Sequence, residues 1–214
     1  MAERDGSSLM DRTVRDFLAE LASDSPAPGG GSVAALAGAV AASLAAMVGR
    51  LTVDREEFRE HEAEVKAALT RADQLREELL ELVEEDTRAF QRVMAAFRLP
   101  KGTPAEREAR RSAVQSAFKE AAEVPLRTAE LCLQGLRLAR LMAEHGNPNA
   151  SSDAGVAALM AAAGARAAAL NVRINLDSIR DAEAKEDLAA RIDAVIAEVE
   201  ELERTAEAGE SPSP

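Results

Sequence analysis

The chain has 214 residues, a net charge of −12 and a pI of about 4.8. That length fits one domain with a substantial core, and that charge argues against a nucleic-acid backbone or an anionic membrane surface as partner. Apolar residues make up 47% but aromatics only 2%, with no Trp and no Tyr, so the core must be built from Ala, Leu, Val and Met. Such side chains suit closely approaching helices better than a β-sandwich. The N-terminal segment lacks the apolar stretch of a signal peptide, and a cytoplasmic location is expected. The single cysteine, Cys132, stands between Leu131 and Leu133, forms no intrachain disulfide and reads as a small buried apolar residue.

In chain order, Ser7 or Ser8 can cap a short helix with the apolar face Val14, Phe17, Leu18 and Leu21. Two prolines between Ser23 and Pro28 then break it. A second helix follows from about Gly30 to Leu51. It carries no charge from Gly29 to Gly49, and its large apolar residues, Val33, Leu36, Val40, Leu44, Met47 and Leu51, form one helical stripe. A single stripe on an Ala- and Gly-rich background predicts a packed helix rather than a membrane span. Asp54 can cap a charged helical segment to about Phe97, long enough that a bend or break inside it is expected. Leu99 to Pro104 reads as a loop, with Thr103 capping the next helix and Pro104 at its first position. Pro125 should kink or restart that helix near Val124, and Gly146-Asn147-Pro148 should end it. Ser151 or Ser152 then caps an Ala-rich helix to about Ile179, and a charged helix covers roughly Ala184 to Arg204. The expected architecture is an all-α, up-and-down bundle of about six to eight helices. It forms a single domain over residues 1–208 with a disordered tail at 209–214. The two helices in which small residues replace Leu, 29–51 and 154–170, should pack centrally or at a subunit interface.

Four segments could carry chemistry. Pro28-Gly29-Gly30-Gly31-Ser32 opens a helix, where unpaired N–H groups favour an anion or polar carbonyl. No Gly-Lys-Ser/Thr follows and no strand precedes, so it is neither a phosphate loop nor a dinucleotide fingerprint; a plain capped helix is the alternative. Gly146 to Asp153 crowds Asn147, Asn149, Ser151, Ser152 and Asp153 into one turn, more polar groups than a cap requires. Asn171 and Asn175 share a helix face between apolar neighbours, and buried amides must be satisfied. Asp86, with Phe90, lies in an acidic run that would ordinarily be solvated, and Lys101 occupies a loop. The two histidines, His61 and His145, stand isolated in the sequence. Neither has Glu three residues before it, so no metal centre of the di-iron bundle type is expected, and no HExxH motif occurs.

Taken together, Pro28-Gly29-Gly30-Gly31-Ser32-Val33-Ala34-Ala35-Leu36-Ala37-Gly38-Ala39, Glu85-Asp86 with Ala89-Phe90, Leu99-Pro100-Lys101, Val124-Pro125-Leu126, Gly146-Asn147 to Ser152-Asp153-Ala154-Gly155, and Asn171 to Leu176 resemble the cyclodeaminase/cyclohydrolase family. The resemblance covers about residues 10–185. It implies an all-helical homodimer that binds a tetrahydrofolate derivative in a cleft, with no metal and no prosthetic group. The activity it implies is formiminotetrahydrofolate cyclodeaminase first and methenyltetrahydrofolate cyclohydrolase second, with a non-catalytic folate-binding dimer as the competing class. Under it Asp86 and Asp153 are the proton-transfer candidates and Lys101 their electrostatic partner. Gly29, Gly30, Gly31, Ser32, Asn147, Asn149, Ser152, Asn171 and Asn175 hold the ligand, and the two polar turns form opposite walls of one cleft. One departure is Thr52-Val53-Asp54-Arg55, where relatives often carry a Gly-Lys-like stretch.

Overall fold

The structure is a computed structural model and describes residues 8–207. Ser7 and the tail expected at 209–214 lie outside the described residues. Six α-helices follow one another without a strand among the described residues: α1 (Val14–Leu21), α2 (Gly30–Thr52), α3 (Glu62–Arg98), α4 (Pro104–His145), α5 (Ser151–Leu176) and α6 (Ala182–Glu207). Short 3-10 turns at Leu9–Asp11, Glu56–His61 and Pro148–Ala150 join them. The all-helical bundle is as expected, and its pieces fall close to the predicted bounds.

Local chemistry explains most ends. Ser8 caps the first 3-10 turn, but α1 has its own cap, Thr13, whose hydroxyl accepts the Asp16 amide at 3.1 Å. Of the apolar face expected there, Phe17 is buried while Val14 and Leu18 are exposed. Thr103 and Glu106 form a reciprocal capping box, with Pro104 at the first helical position of α4. The break expected between Asp54 and Phe97 sits at the start, where Phe58 leaves helical geometry inside the 3-10 turn; α3 itself runs unbroken. Neither Ser151 nor Ser152 caps α5. The helix follows directly on the 3-10 turn, and Ala150 stands at its cap without a side-chain bond.

Pro125 causes no restart near Val124, since α4 continues through it. Proline has no N–H and therefore frees the carbonyl four residues earlier. Here that carbonyl belongs to Ala121, and the side-chain amide of Asn175 donates to it at 2.8 Å. A polar residue on α5 thus replaces the hydrogen bond that Pro125 removes from α4, which fixes the two helices side by side.

Helix α2 packs against α3, α4 and α5, and α5 against α2, α4 and α6. Small residues make this possible: Ala34, Ala35, Ala41, Ala42 and Ala45 of α2 and Ala157, Ala161, Ala165 and Ala168 of α5 are fully buried. Gly38 and Gly164 meet at Cys132, whose sulfur lies only 2.6 Å and 2.9 Å from where their Cβ atoms would be. A side chain at either position would push the three helices apart. The large apolar stripe of α2 faces the other way, with Val33, Val40, Met47 and Leu51 each more than a third exposed, and α5 presents Val156, Leu159, Leu170 and Ile174 similarly. Both segments, Gly30–Thr52 and Pro148–Leu176, are long and apolar enough to cross a membrane; in the bundle their small faces pack against its other helices.

Candidate functional site

A cavity of about 460 Å³ opens where the N-terminus of α2 meets α3, α4 and the second half of α5. Its floor is the glycine turn, with Asp86 beside it. Gly29, at the cap position of α2, has no side chain to satisfy the helix's first amides. Asp86 reaches across from α3 instead: its Oδ2 accepts the Ser32 amide at 2.8 Å and lies 2.9 Å from the Ser32 hydroxyl. That hydroxyl has one proton and is also 3.0 Å from the Val83 carbonyl, so it serves one acceptor at a time. The cap of α2 is therefore supplied in trans.

This arrangement leaves capacity unused. The amides of Gly30 and Gly31 and the Oδ1 of Asp86 have no hydrogen-bond partner among the described residues. Oδ1 lies directly over Gly31, only 2.0 Å from where a Cβ would be, so Gly31 is required for the carboxylate to approach. Gly30 is not constrained in this way; its nearest neighbour, the Asn171 amide, would be at 3.5 Å. Burial pushes the Asp86 carboxyl above its ordinary value, and the two Ser32 hydrogen bonds only partly offset this. A carboxyl with an elevated pKa and one free oxygen facing a cavity can exchange a proton with whatever sits there.

The opposite wall comes from α5. Asn171 donates to the Ala167 carbonyl at 2.9 Å, and Asn175 donates to the carbonyls of Asn171 and Ala121. Asn175 has thereby spent both its donors, so it offers the cavity its carbonyl oxygen, an acceptor. Gln115 ties down the end of α5, donating to the Ser178 carbonyl at 3.0 Å and accepting from the Arg180 amide at 2.8 Å. The rest of the wall is apolar and includes three aromatic rings, Phe90 and Phe97 of α3 and Phe118 of α4. These are three of only five phenylalanines in a chain without Trp or Tyr. Phe97 and Phe118 meet edge to face at 5.9 Å, and the Arg110 guanidinium lies over Phe97 at 5.6 Å. From Asp86 to Phe97 the cavity runs about 16 Å along α3 at the helical rise.

Of the expected site residues, Gly29, Gly30, Gly31, Asp86, Asn171 and Asn175 line this cavity, and Ser32 holds Asp86 from behind. The others do not. Lys101 is exposed in the loop after α3, about a turn beyond Phe97, and so stands at the far end of the cavity from Asp86 rather than beside it. Asn147, Asn149, Ser152 and Asp153 lie against the opposite end of α2, about 33 Å away at the helical rise. Within one chain the two turns are thus not walls of one cleft. Asn147 is buried and fully engaged: its amide donates to the Thr52 hydroxyl at 2.9 Å, its Nδ2 to the Leu51 carbonyl at 3.2 Å, and its Oδ1 accepts from the Asn149 amide at 3.0 Å. It pins the end of α2 to the start of α5. Ser152 is exposed and Asp153 half-buried in the first turn of α5.

Phe97 and Phe118 escaped the sequence reading, although the scarcity of aromatics could have marked them. The histidines are not isolated in space, for the rings of His61 and His145 stack at 3.8 Å. Cys132 is fully buried, and burial pushes its thiol up to about 12, which removes it as a nucleophile at neutral pH.

Comparison with known proteins identifies the family. The family described as Formiminotransferase-cyclodeaminase matches residues 13–194. A methenyltetrahydrofolate cyclohydrolase of Methylorubrum extorquens is 42% identical over 186 residues, spanning 87% of this chain and 89% of that one. A formimidoyltransferase-cyclodeaminase of Rattus norvegicus is 38% identical over 191 residues, but these are 89% of this chain and only 35% of the rat protein. The crystal structure of a formiminotetrahydrofolate cyclodeaminase of Thermotoga maritima superposes with a TM-score of 0.74 at 29% identity, covering 91% of this chain and 96% of that one. The chain belongs to the formiminotransferase-cyclodeaminase family.

Proposed function

We propose that the chain is a one-carbon folate enzyme acting on the carbon held between N5 and N10 of tetrahydrofolate. The observation that carries this reading is the cavity itself: a proton-exchanging carboxyl at one end and most of the chain's aromatic surface along its length. A flat pterin stacks on phenylalanine faces, and its ring N–H groups suit acceptors such as the Asn175 carbonyl and Asp86. Lys101 and Arg110, at the distal end, face the region where the anionic glutamate tail would emerge.

Both reactions of the family's relatives run through a tetrahedral carbon and change no oxidation state. In hydrolysis, Asp86 takes one proton from water as it attacks the methenyl carbon; the remaining hydroxyl proton passes to N5 as the C–N5 bond breaks and the formyl C=O forms, and 10-formyltetrahydrofolate and the first proton are released. In cyclodeamination, N10 attacks the formimino carbon and Asp86 accepts the N10 proton. That proton and one from solvent pass to the departing nitrogen as ammonia leaves, forming the methenyl bridge. Cyclodeamination is the first expectation from the family resemblance; the 42% identity to a stand-alone cyclohydrolase, with nearly full coverage of both chains, favours hydrolysis. Following methenyl absorbance with each folate separately decides between them. Loss of absorbance from the methenyl substrate supports hydrolysis, gain from the formimino substrate supports cyclodeamination, and binding without turnover of either leaves a folate-binding protein.

The enzyme acts as a homodimer in this reading, because the adjoining helices α2 and α5 leave Val33, Val40, Met47 and Leu51 and Val156, Leu159, Leu170 and Ile174 exposed, and clustered exposed apolar side chains suit an interface. Ile174 also borders the cavity. Antiparallel packing of two α2 stripes about Val40 sets each copy's 147–153 turn beside the other copy's glycine turn, which brings Ser152 and Asp153 back to the ligand. Sedimentation of Val40→Asp as a monomer, and restored turnover on mixing Asp86→Asn with Asp153→Asn protein, test both halves of this arrangement.

A further inference from the structure

The two histidines of the chain are 84 residues apart in sequence and meet at the end of the bundle away from the cavity. His61 sits at the cap of α3 and His145 is the last residue of α4. Their rings stack at 3.8 Å with an interplanar angle of 23°. Glu64, one turn into α3, turns a single carboxylate oxygen toward both: Oε2 is 3.9 Å from His61 Nδ1 and 3.9 Å from His145 Nε2. A second carboxylate, Glu144, comes within 4.0 Å of the same Nε2. The three donor atoms of His61, Glu64 and His145 all lie within 4.8 Å of one another.

We propose that His61, His145 and Glu64 form a binding site for one divalent transition-metal ion of the zinc class. Tetrahedral bonds of about 2.0–2.2 Å place ligand atoms roughly 3.3–3.6 Å apart, so the donors close around an ion by movements of about an ångström. His61 and His145 are partly exposed and Glu64 more so, which leaves the ends of these side chains free to make that movement. Because imidazole lone pairs lie in the ring planes, binding opens the 3.8 Å stack and tilts both rings until their planes meet at the ion, a change that their partial exposure permits. Two imidazoles with one carboxylate select zinc, cobalt, nickel or copper over magnesium and calcium, which prefer all-oxygen shells. Water or Glu144 completes the coordination. The bound ion ties the start of α3 to the end of α4, immediately before the Asn147 turn, and so acts on the structure at the end opposite the cavity.

The test uses untagged full-length protein stripped with a chelator and titrated with zinc chloride by calorimetry, with the stoichiometry read by native mass spectrometry. The expected result is saturation at one zinc ion per chain in the micromolar range or tighter, a higher melting temperature, and no saturation with magnesium or calcium. Cobalt should give the visible absorption of a four-coordinate site, a reading that needs no variant. His61→Gln and His145→Gln should each weaken binding at least about tenfold, with metal-free circular dichroism checking that they fold. Absence of saturable zinc uptake by the unaltered protein overturns the proposal, as does uptake that survives the loss of either histidine.

Discussion

The glycine turn at the start of α2 and the asparagine turn before α5 look alike in sequence: each contains a proline, is rich in small or polar residues, and opens an Ala-rich helix. They differ in what is left over. At Asn147 the backbone amide, both ends of the side-chain amide and the neighbouring Asn149 amide are all engaged inside the protein. At the glycine turn one carboxylate oxygen and two helix amides remain unpaired among the described residues, beside a cavity. Within one chain, a density of polar residues therefore does not mark a site; unspent hydrogen-bond capacity next to open volume does.

The comparison breaks first at Asp86. Asp86→Asn keeps an acceptor for the Ser32 amide but cannot exchange the proton, so turnover should fall by roughly 10²–10⁴. Because the folded state raises the Asp86 pKa, its contribution to stability is present when the group is protonated at low pH and lost as pH rises through the folded value. The variant should accordingly melt no lower than the parent at neutral pH. In the parent, the acidic limb of kcat/KM should lie above the ordinary aspartate value of 3.8; an unshifted limb would remove Asp86 as the base.

Next comes Gly31→Ala, whose Cβ would collide with the Asp86 carboxylate and should cost on the order of 10²-fold in kcat/KM by displacing it. Gly135→Ala, whose added carbon would meet Leu75 at 3.5 Å and Ala161 at 3.8 Å in ordinary contact away from the cavity, is the matched control and should leave turnover unchanged. At the other turn the readout should reverse. Asn147→Ala should lower stability by roughly 1–3 kcal/mol through unpaired buried groups, seen in denaturant unfolding. The smallest effect should be a coupling: Asn175→Ala should destabilise the parent by roughly 1 kcal/mol but the Pro125→Ala background by less, since an alanine there restores the backbone N–H that the Ala121 carbonyl lacks.

Much of the molecule was legible in the residues. The cap at Thr103, Pro104 at a helix start and the stop at Gly146 act within a few positions of chain, so local chemistry sets those helix ends. Gly29–Gly31, Asp86, Asn171 and Asn175 were singled out and do converge. The placement of Asn147, Asp153 and Lys101 was not legible, because the length of α2, about 33 Å, separates turns that the same residue types make look equivalent. The uninterrupted path of α4 through Pro125 was not legible either, since the group that replaces the lost hydrogen bond comes from position 175.

By itself, the sequence determined the helical class, the small-residue faces of α2 and α5 and the family, because spacing, composition and short motifs are properties of neighbouring residues. Only the tertiary structure decided that the small face of α2 turns inward and its large stripe outward, since Gly38 and Gly164 admit close approach around Cys132 and a bulkier face does not. It alone decided that Asp86 caps a helix on another element, and that two distant histidines stack. Those outcomes depend on which elements meet, which no local pattern encodes.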